Sequence, residues 1–182
     1  MPKYHLKPFD KLSSYEVTVD INCNLVENNL LLDLKYSVLG NIQNLQLEAP
    51  VLQPQRTEEL WKKSCFEIFL NNNLEHDYVE FNFSSSKNWN SYIFDNYRVK
   101  NSYLQLPSFP KINTYTNDQT FTMNVSVEFN YKNFNKVNQL FISPTVILQH
   151  NNNAQSFWAI KHTKNHPDFH VKDSFFQYFP LN

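Results

Sequence analysis

The stretch TFTMNVSVEF, Thr120–Phe129, decides how the rest of the chain is read. Phe121, Met123, Val125, Val127 and Phe129 point one way along an extended backbone, and Thr122, Asn124, Ser126 and Glu128 the other. A period of two belongs to a β-strand with one buried face, because successive side chains leave a strand on opposite sides. YEVTVDINC (15–23) repeats the pattern, setting Tyr15, Val17, Val19, Ile21 and Cys23 against Glu16, Thr18, Asp20 and Asn22. LLLDLKYSVL (30–39) follows the Asn-rich VENN at 26–29, so the two runs predict a hairpin. Further strands are expected at 42–48, 65–70, 77–83, 89–94, 103–106, 140–149, 156–162 and 175–178. Pro144 inside its run predicts an edge strand or a bulge. Helix signals are poor: TEELWKK (57–63) predicts a turn or two, capped by Thr57. About ten short strands without a linker or repeat predict an all-β fold: a single-domain antiparallel β-sandwich, jelly-roll or immunoglobulin-like, with little helix.

Composition agrees. Of 182 residues 16 % are aromatic, with sixteen Phe and ten Tyr, and ring and β-branched side chains suit a pleated, half-buried surface. Gly40 is the only glycine, so Asn, which tolerates left-handed backbone, is expected to serve the turns at 26–29, 71–73 and 151–153. A formal net charge of −1 without any basic run argues against nucleic acid as a partner. No segment approaches the ~20 apolar residues of a membrane helix. The start of the chain shows no apolar core of a signal peptide, and Cys23 and Cys65 read as buried thiols, so a cytoplasmic setting is expected.

The block from Leu60 to Arg98 carries the chemistry. In CFEIFL, Cys65, Glu67 and Phe69 share one face. In YVEFNF, Tyr78, Glu80 and Asn82 stand together opposite Val79, Phe81 and Phe83. Two strands thus set carboxyls and an amide among rings, where a solvated face would carry Lys, Thr or Ser. A saccharide site needs that mixture: a ring stacks on the C–H face of a pyranose while carboxylate and amide fix the hydroxyls.

The order W-x-x-x-C-F-E-x-F-L, Y-x-E-F-N-F-S, W-x-x-Y-x-F-D-x-Y-R, W-A-I-x-H and P-D-F-H resembles the DOMON-like domain proteins, which are related to the family 9 carbohydrate-binding modules. The resemblance covers about residues 56–175. It implies an antiparallel β-sandwich with a concave or end-on site, in which two tryptophans clamp the sugar and a glutamate just after the first takes hydroxyls. Trp61 and Glu67 match the first pair; Trp158, with Gln155 as its amide, is the candidate second clamp. Trp89 opens the third motif and joins Glu80, Asn82 and Arg98 as ligand contacts, with His162 at the rim. The chain departs from the family in the loop after E-F-N-F-S, where Ser85 and Lys87 stand in place of an expected Pro and Gly.

Other chemistries compete for the same residues. Glu67 and Glu80 on neighbouring strands could form the carboxylate pair of a glycosidase, but an ion pair between Glu80 and Arg98 is the expectation. Met123 could ligate haem, as in haem-binding relatives, but its strand makes it core filling. One glycine rules out P-loop, dinucleotide and serine-elbow motifs. Cys65 as a nucleophile would need a histidine base that the sequence does not place.

HTKNHPDFH (162–170) looks like a metal site, with His162, Asp168 and His170 as its most credible ligands. Pro167 prevents a helical H-x-x-x-H, however, and a polar latch through Asp168 is the plainer reading. The sequence therefore predicts a non-catalytic domain that binds a saccharide-like small molecule, with no cofactor. Its rivals are a haem- or metal-binding domain and a protein-interaction module without a small ligand.

Overall fold

A computed structural model describes residues 1–10, 13–72, 77–130 and 140–178. The chain opens with β1 (Lys3–Pro8), β2 (Glu16–Val26) and β3 (Asn29–Leu39). Its middle is β4 (Cys65–Asn71), β5 (Tyr78–Ser84), β6 (Trp89–Asn96) and β7 (Val99–Tyr103). It closes with β8 (Lys111–Thr116), β9 (Thr120–Phe129), β10 (Leu140–Gln149), β11 (Gln155–Ala159) and β12 (Phe176–Tyr178). All strand pairs are antiparallel, in two sheets ordered β1-β2-β3-β9-β8 and β7-β6-β5-β4-β10-β11, with β12 also on β10. This is the expected all-β sandwich.

The alternating apolar faces meet between the sheets. Val17, Val19 and Ile21 of β2, Phe121 and Val125 of β9, Phe66 and Ile68 of β4 and Phe81 of β5 belong to one buried core. Each such side chain removed from water is worth about 1.5–3 kcal/mol, which is why the period-two signal carries the fold. The outer face of the second sheet is covered as well. Cys65, Phe69, Tyr78, Tyr92, Phe94 and Ile147 form a second cluster with Phe169 and Phe175, which arrive from beyond β11. As a result every residue of β4 and β5 is buried, on both faces.

Several expectations are corrected. The strand expected at 42–48 is a 3-10 turn at Ile42–Asn44, because the residues that bury there, Ile42 and Leu45, are three apart and not two. The helix at 57–63 shrinks to a 3-10 turn, Leu60–Lys62, preceded by Glu59 in left-handed backbone; Thr57 is no cap and gives its N–H to the Trp89 carbonyl. The expected strand at 103–106 is replaced by β7, which ends at Tyr103. Pro144 lies neither on an edge strand nor at a bulge: it pairs with Ile68 on β4 in unbroken register. On its other side β12 stops at Ile142 and β11 begins at Thr145, so the proline occupies the gap between them. Strands β1 and β8 had no apolar alternation to announce them, since each buries a single residue, Leu6 or Ile112.

Turn chemistry also differs. Among the described residues left-handed backbone occurs at Glu27, Glu59, Lys87, Arg98 and Asn153, so Asn fills only one such place; Asn73 lies outside the described residues. Lys87, where the family resemblance implies glycine, has φ 73°. Gly40 is irreplaceable for space as well as for its φ of 144°: a Cβ there would stand 2.6 Å from Cδ1 of Tyr15.

Candidate functional site

The covered outer face of the second sheet holds a cavity of about 380 Å³, within the ~300–1,000 Å³ typical of small-ligand sites. Alternation puts its lining there. Glu67 and Phe69 on β4, Glu80 on β5, Tyr92 and Phe94 on β6 and Gln155 and Phe157 on β11 are the residues whose strand neighbours enter the sandwich core. Trp61 comes from the 3-10 turn before β4, Arg98 from the β6–β7 turn and Lys100 from β7, and Pro167–His170 close the far wall. Trp61 is 37 % exposed and meets Tyr92 edge-on, ring centroids 5.9 Å apart. Phe157 and Phe169 lie 6.2 Å apart, and Phe94 packs between Tyr78, stacked at 4.8 Å, and the His170 ring at 5.1 Å.

The two glutamates have little water. Glu67 is 2 % exposed and Glu80 5 %. Glu67 stands opposite Asn82 and Glu80 opposite Phe69, so the carboxyls are diagonal neighbours on one face, roughly 7–8 Å apart along the backbone. Burial pushes both well above the usual carboxylate range, and the charge of Glu67 raises Glu80 further. Their hydrogen bonds oppose this without prevailing: Thr145 Oγ1 donates to Glu67 at 3.0 Å and Asn82 Nδ2 to Glu80 at 2.8 Å.

At the far wall the balance reverses. Tyr97 Oη donates to Asp168 at 2.6 Å, Arg98 Nη2 at 3.0 Å, and the His170 backbone N–H at 3.2 Å. Burial works against the Asp168 carboxylate, but these hydrogen bonds and the arginine charge outweigh it and hold the group below its ordinary value. Burial, then the Arg98 charge, takes His170 down to about 4. The geometry fits a neutral ring: Tyr78 Oη, which accepts the Arg98 backbone N–H at 3.2 Å, lies 2.7 Å from His170 Nδ1, and an unprotonated Nδ1 can take the phenol proton in a hydrogen bond.

Of the residues singled out from the sequence, Trp61, Glu67, Glu80, Arg98 and Gln155 meet around this cavity. Asn82 lies behind Glu80, wholly buried. Trp158 is corrected: it is 1 % exposed in the sandwich core, with Nε1 donating to Ser156 Oγ at 3.1 Å. Gln155 and Trp158 are three residues apart, so one strand cannot show both on one face; Phe157, two from Gln155, takes the cavity position. Trp89 also faces the core, 2 % exposed, under the Arg56 guanidinium 4.5 Å from its ring. His162 is elsewhere, donating from Nε2 to the Lys7 carbonyl at 2.9 Å with its ring against Phe9. No clamp of two indoles forms.

The expected Glu80–Arg98 pair is replaced by Arg98–Asp168. His162, Asp168 and His170 are bound to different partners, and among the described residues no group of three or more His, Cys, Asp or Glu is gathered as a metal would require. Met123 is buried in the sandwich core, away from the cavity lining. The rings that sequence reasoning missed were partly findable. Tyr92 and Phe94 share one face of β6 by parity, with Tyr92 opposite Glu80, and Phe157 has the parity of Gln155, whereas Phe169 gave no periodic signal.

No family model and no curated protein matches the sequence. Solved structures share its fold. A candidate carbohydrate-binding protein from Bacteroides uniformis matches with a TM-score of 0.59 at 12 % identity, over 97 % of this chain and 84 % of that one. A family 9 carbohydrate-binding module from Caldicellulosiruptor kristjanssonii, solved with cellotriose, matches with a TM-score of 0.52 at 11 % identity, over 87 % of this chain and 72 % of that one. At such identities the likeness is one of fold, and it joins an all-β sandwich with a covered outer face to structures described as carbohydrate-binding.

Proposed function

We propose that this chain binds a saccharide in the cavity on its second sheet and does not transform it. The observation that carries the reading is a 380 Å³ hollow in which aromatic walls surround two buried carboxyls. Trp61 offers a partly exposed indole for the apolar face of a pyranose. Glu67 and Glu80 accept from hydroxyls at the floor, Gln155 adds an amide, and Arg98 borders the opening. The fold shared with carbohydrate-binding structures supports this, and so does the sequence resemblance to DOMON-like proteins, which we keep as part of the proposal.

Binding without turnover is supported by the burial of both acids, although the charge of Glu67 sets Glu80 somewhat above it. A glycosidase needs one carboxyl kept protonated and another kept ionised, which requires surroundings that push their proton affinities apart. Here burial pushes both the same way. The test is a titration of the full chain with cellotriose and glucose, followed by tryptophan fluorescence and calorimetry, with product analysis after prolonged incubation. We expect saturable binding, at least tenfold weaker in Trp61→Ala, and intact sugar at the end. No binding by cellotriose, glucose or an amino sugar such as glucosamine, or equal binding in Trp61→Ala, defeats the reading; released monosaccharide defeats its non-catalytic half.

A further inference from the structure

Charge around the cavity does not balance once Glu67 and Glu80 ionise. Its two cations are already committed: Arg98 pairs with Asp168 at 3.0 Å, and Lys100 lies 3.7 Å from Glu58 and over the rings of Tyr92 and Tyr103, at 4.6 and 4.5 Å. Among the described residues no cation comes within ion-pair distance of Glu67 or Glu80; Arg98 acts on both, and Lys100 on Glu80, only from further off. The floor is also short of donors. Thr145 and Asn82 give theirs to the two glutamates, and Asn82 Oδ1 is buried beside them with no partner. Two carboxyls without a counter-cation and a wall of rings occur together in one hollow, with the unpartnered Asn82 Oδ1 behind them.

We infer that the saccharide bound here carries a free amine, its ammonium group directed at Glu67 and Glu80 between the rings of Trp61, Tyr92 and Phe94. The inference rests on the saccharide reading of the cavity and names the class of sugar. A hydroxyl brings one donor and no charge. An ammonium brings three donors and the missing cation, and charge-assisted hydrogen bonds are roughly twice as strong as neutral ones. Ring faces attract the same group through their quadrupoles, more strongly once water is excluded. Arg98 and Lys100 do not counter this at the opening, since each already has an acid of its own.

Calorimetry of the full chain at pH 6.5 with glucosamine, N-acetylglucosamine and glucose separates the possibilities, because acetylation removes the charge and two donors while keeping the ring. We expect glucosamine to bind at least tenfold more tightly than either neutral sugar, and Glu80→Gln and Glu67→Gln each to bring that ratio towards one. A wild-type ratio at or below one overturns the inference, whatever the variants do. If glucose binds in a Trp61-dependent way without preference for the amine, the saccharide reading stands and this step fails. If none of the three sugars binds, both fail.

Discussion

A carboxyl taken out of water holds its proton more tightly until a cation comes beside it, and Glu67 and Glu80 are in that position. Both proton affinities are raised on folding, so the stability they contribute is complete below their unfolded value near 4.5 and is lost as pH rises through the folded values. His170 acts in the opposite sense, since its affinity falls on folding to about 4: its share is lost as pH drops from about 6.5, and it is silent above that. The window from pH 6.5 to 8.5 therefore isolates the glutamates. Urea denaturation across it should show the wild type weakening with pH. Glu80→Gln should flatten the slope and gain roughly 1–3 kcal/mol at pH 8.5, a tenfold change in proton affinity being worth about 1.4 kcal/mol. A flat wild-type profile, or a glutamine variant less stable at pH 8.5, contradicts this account. Part of this was legible in the sequence: parity puts Glu80 and Asn82 on one face of β5, and the register of β4 with β5 adds Glu67 to it. Parity equally contained the correction to Trp158, which is three residues from Gln155 and so on the other face of β11. What parity does not disclose is that the face lies under a cover.

That cover depends on how two separate elements hold each other. The β6–β7 turn presents Tyr97 and Arg98, and the segment after β11 returns Asp168 between them; the carboxylate is buried while the arginine is half exposed. Removing the buried member strands three donors, whereas removing the exposed one takes one of two donors from Oδ1, which keeps the His170 N–H, while Tyr97 still holds Oδ2. Asp168→Ala should thus cost about 2–4 kcal/mol and Arg98→Ala about 1 kcal/mol or less. Arg98→Gly should cost less than Arg98→Ala, because it relieves the left-handed backbone at φ 54°. Chemical denaturation of the three variants tests the order, and an arginine loss equal to the aspartate loss would remove the latch as an explanation. A latch through Asp168 was expected from the sequence, accepting from a histidine N–H or a backbone turn; of these the backbone N–H of His170 is present. Its main partners were not foreseen: Tyr97 and Arg98 are seventy-one and seventy residues away in the chain. Hairpins and their registers are local and readable; a bond across that separation has no periodic trace.

At the scale of the whole molecule the two sheets are one hydrogen-bonded path, and β1 is where they join. Lys3–Leu6 continue the first sheet beside β2, while Lys7 and Pro8 cross to β11, and Phe9 N–H reaches the Phe157 carbonyl at 2.8 Å. His162, expected at the ligand, secures this crossing through the Lys7 carbonyl instead. Sequence reading had no access to the junction. KYHLKP buries only Leu6, and the strand is defined by two neighbours that lie far along the chain. The consequence is testable. Deleting residues 1–9 leaves β2 and β11 with open edges at the seam and takes away Leu6, whose burial is worth about 1.5–3 kcal/mol, besides ladder hydrogen bonds at about 0.5–1.5 kcal/mol each. We expect a loss of at least about 4 kcal/mol, and association of the truncated chain through its new edges on size exclusion. Because β11 carries Phe157 and Gln155 into the cavity, sugar affinity should fall with it, although no residue of β1 lines the site. A truncated chain that stays monomeric and melts within a few degrees of the intact one would mean that the sheets hold together through their core alone. In that case β1 is an appendage, and the backbone of the site is set without it.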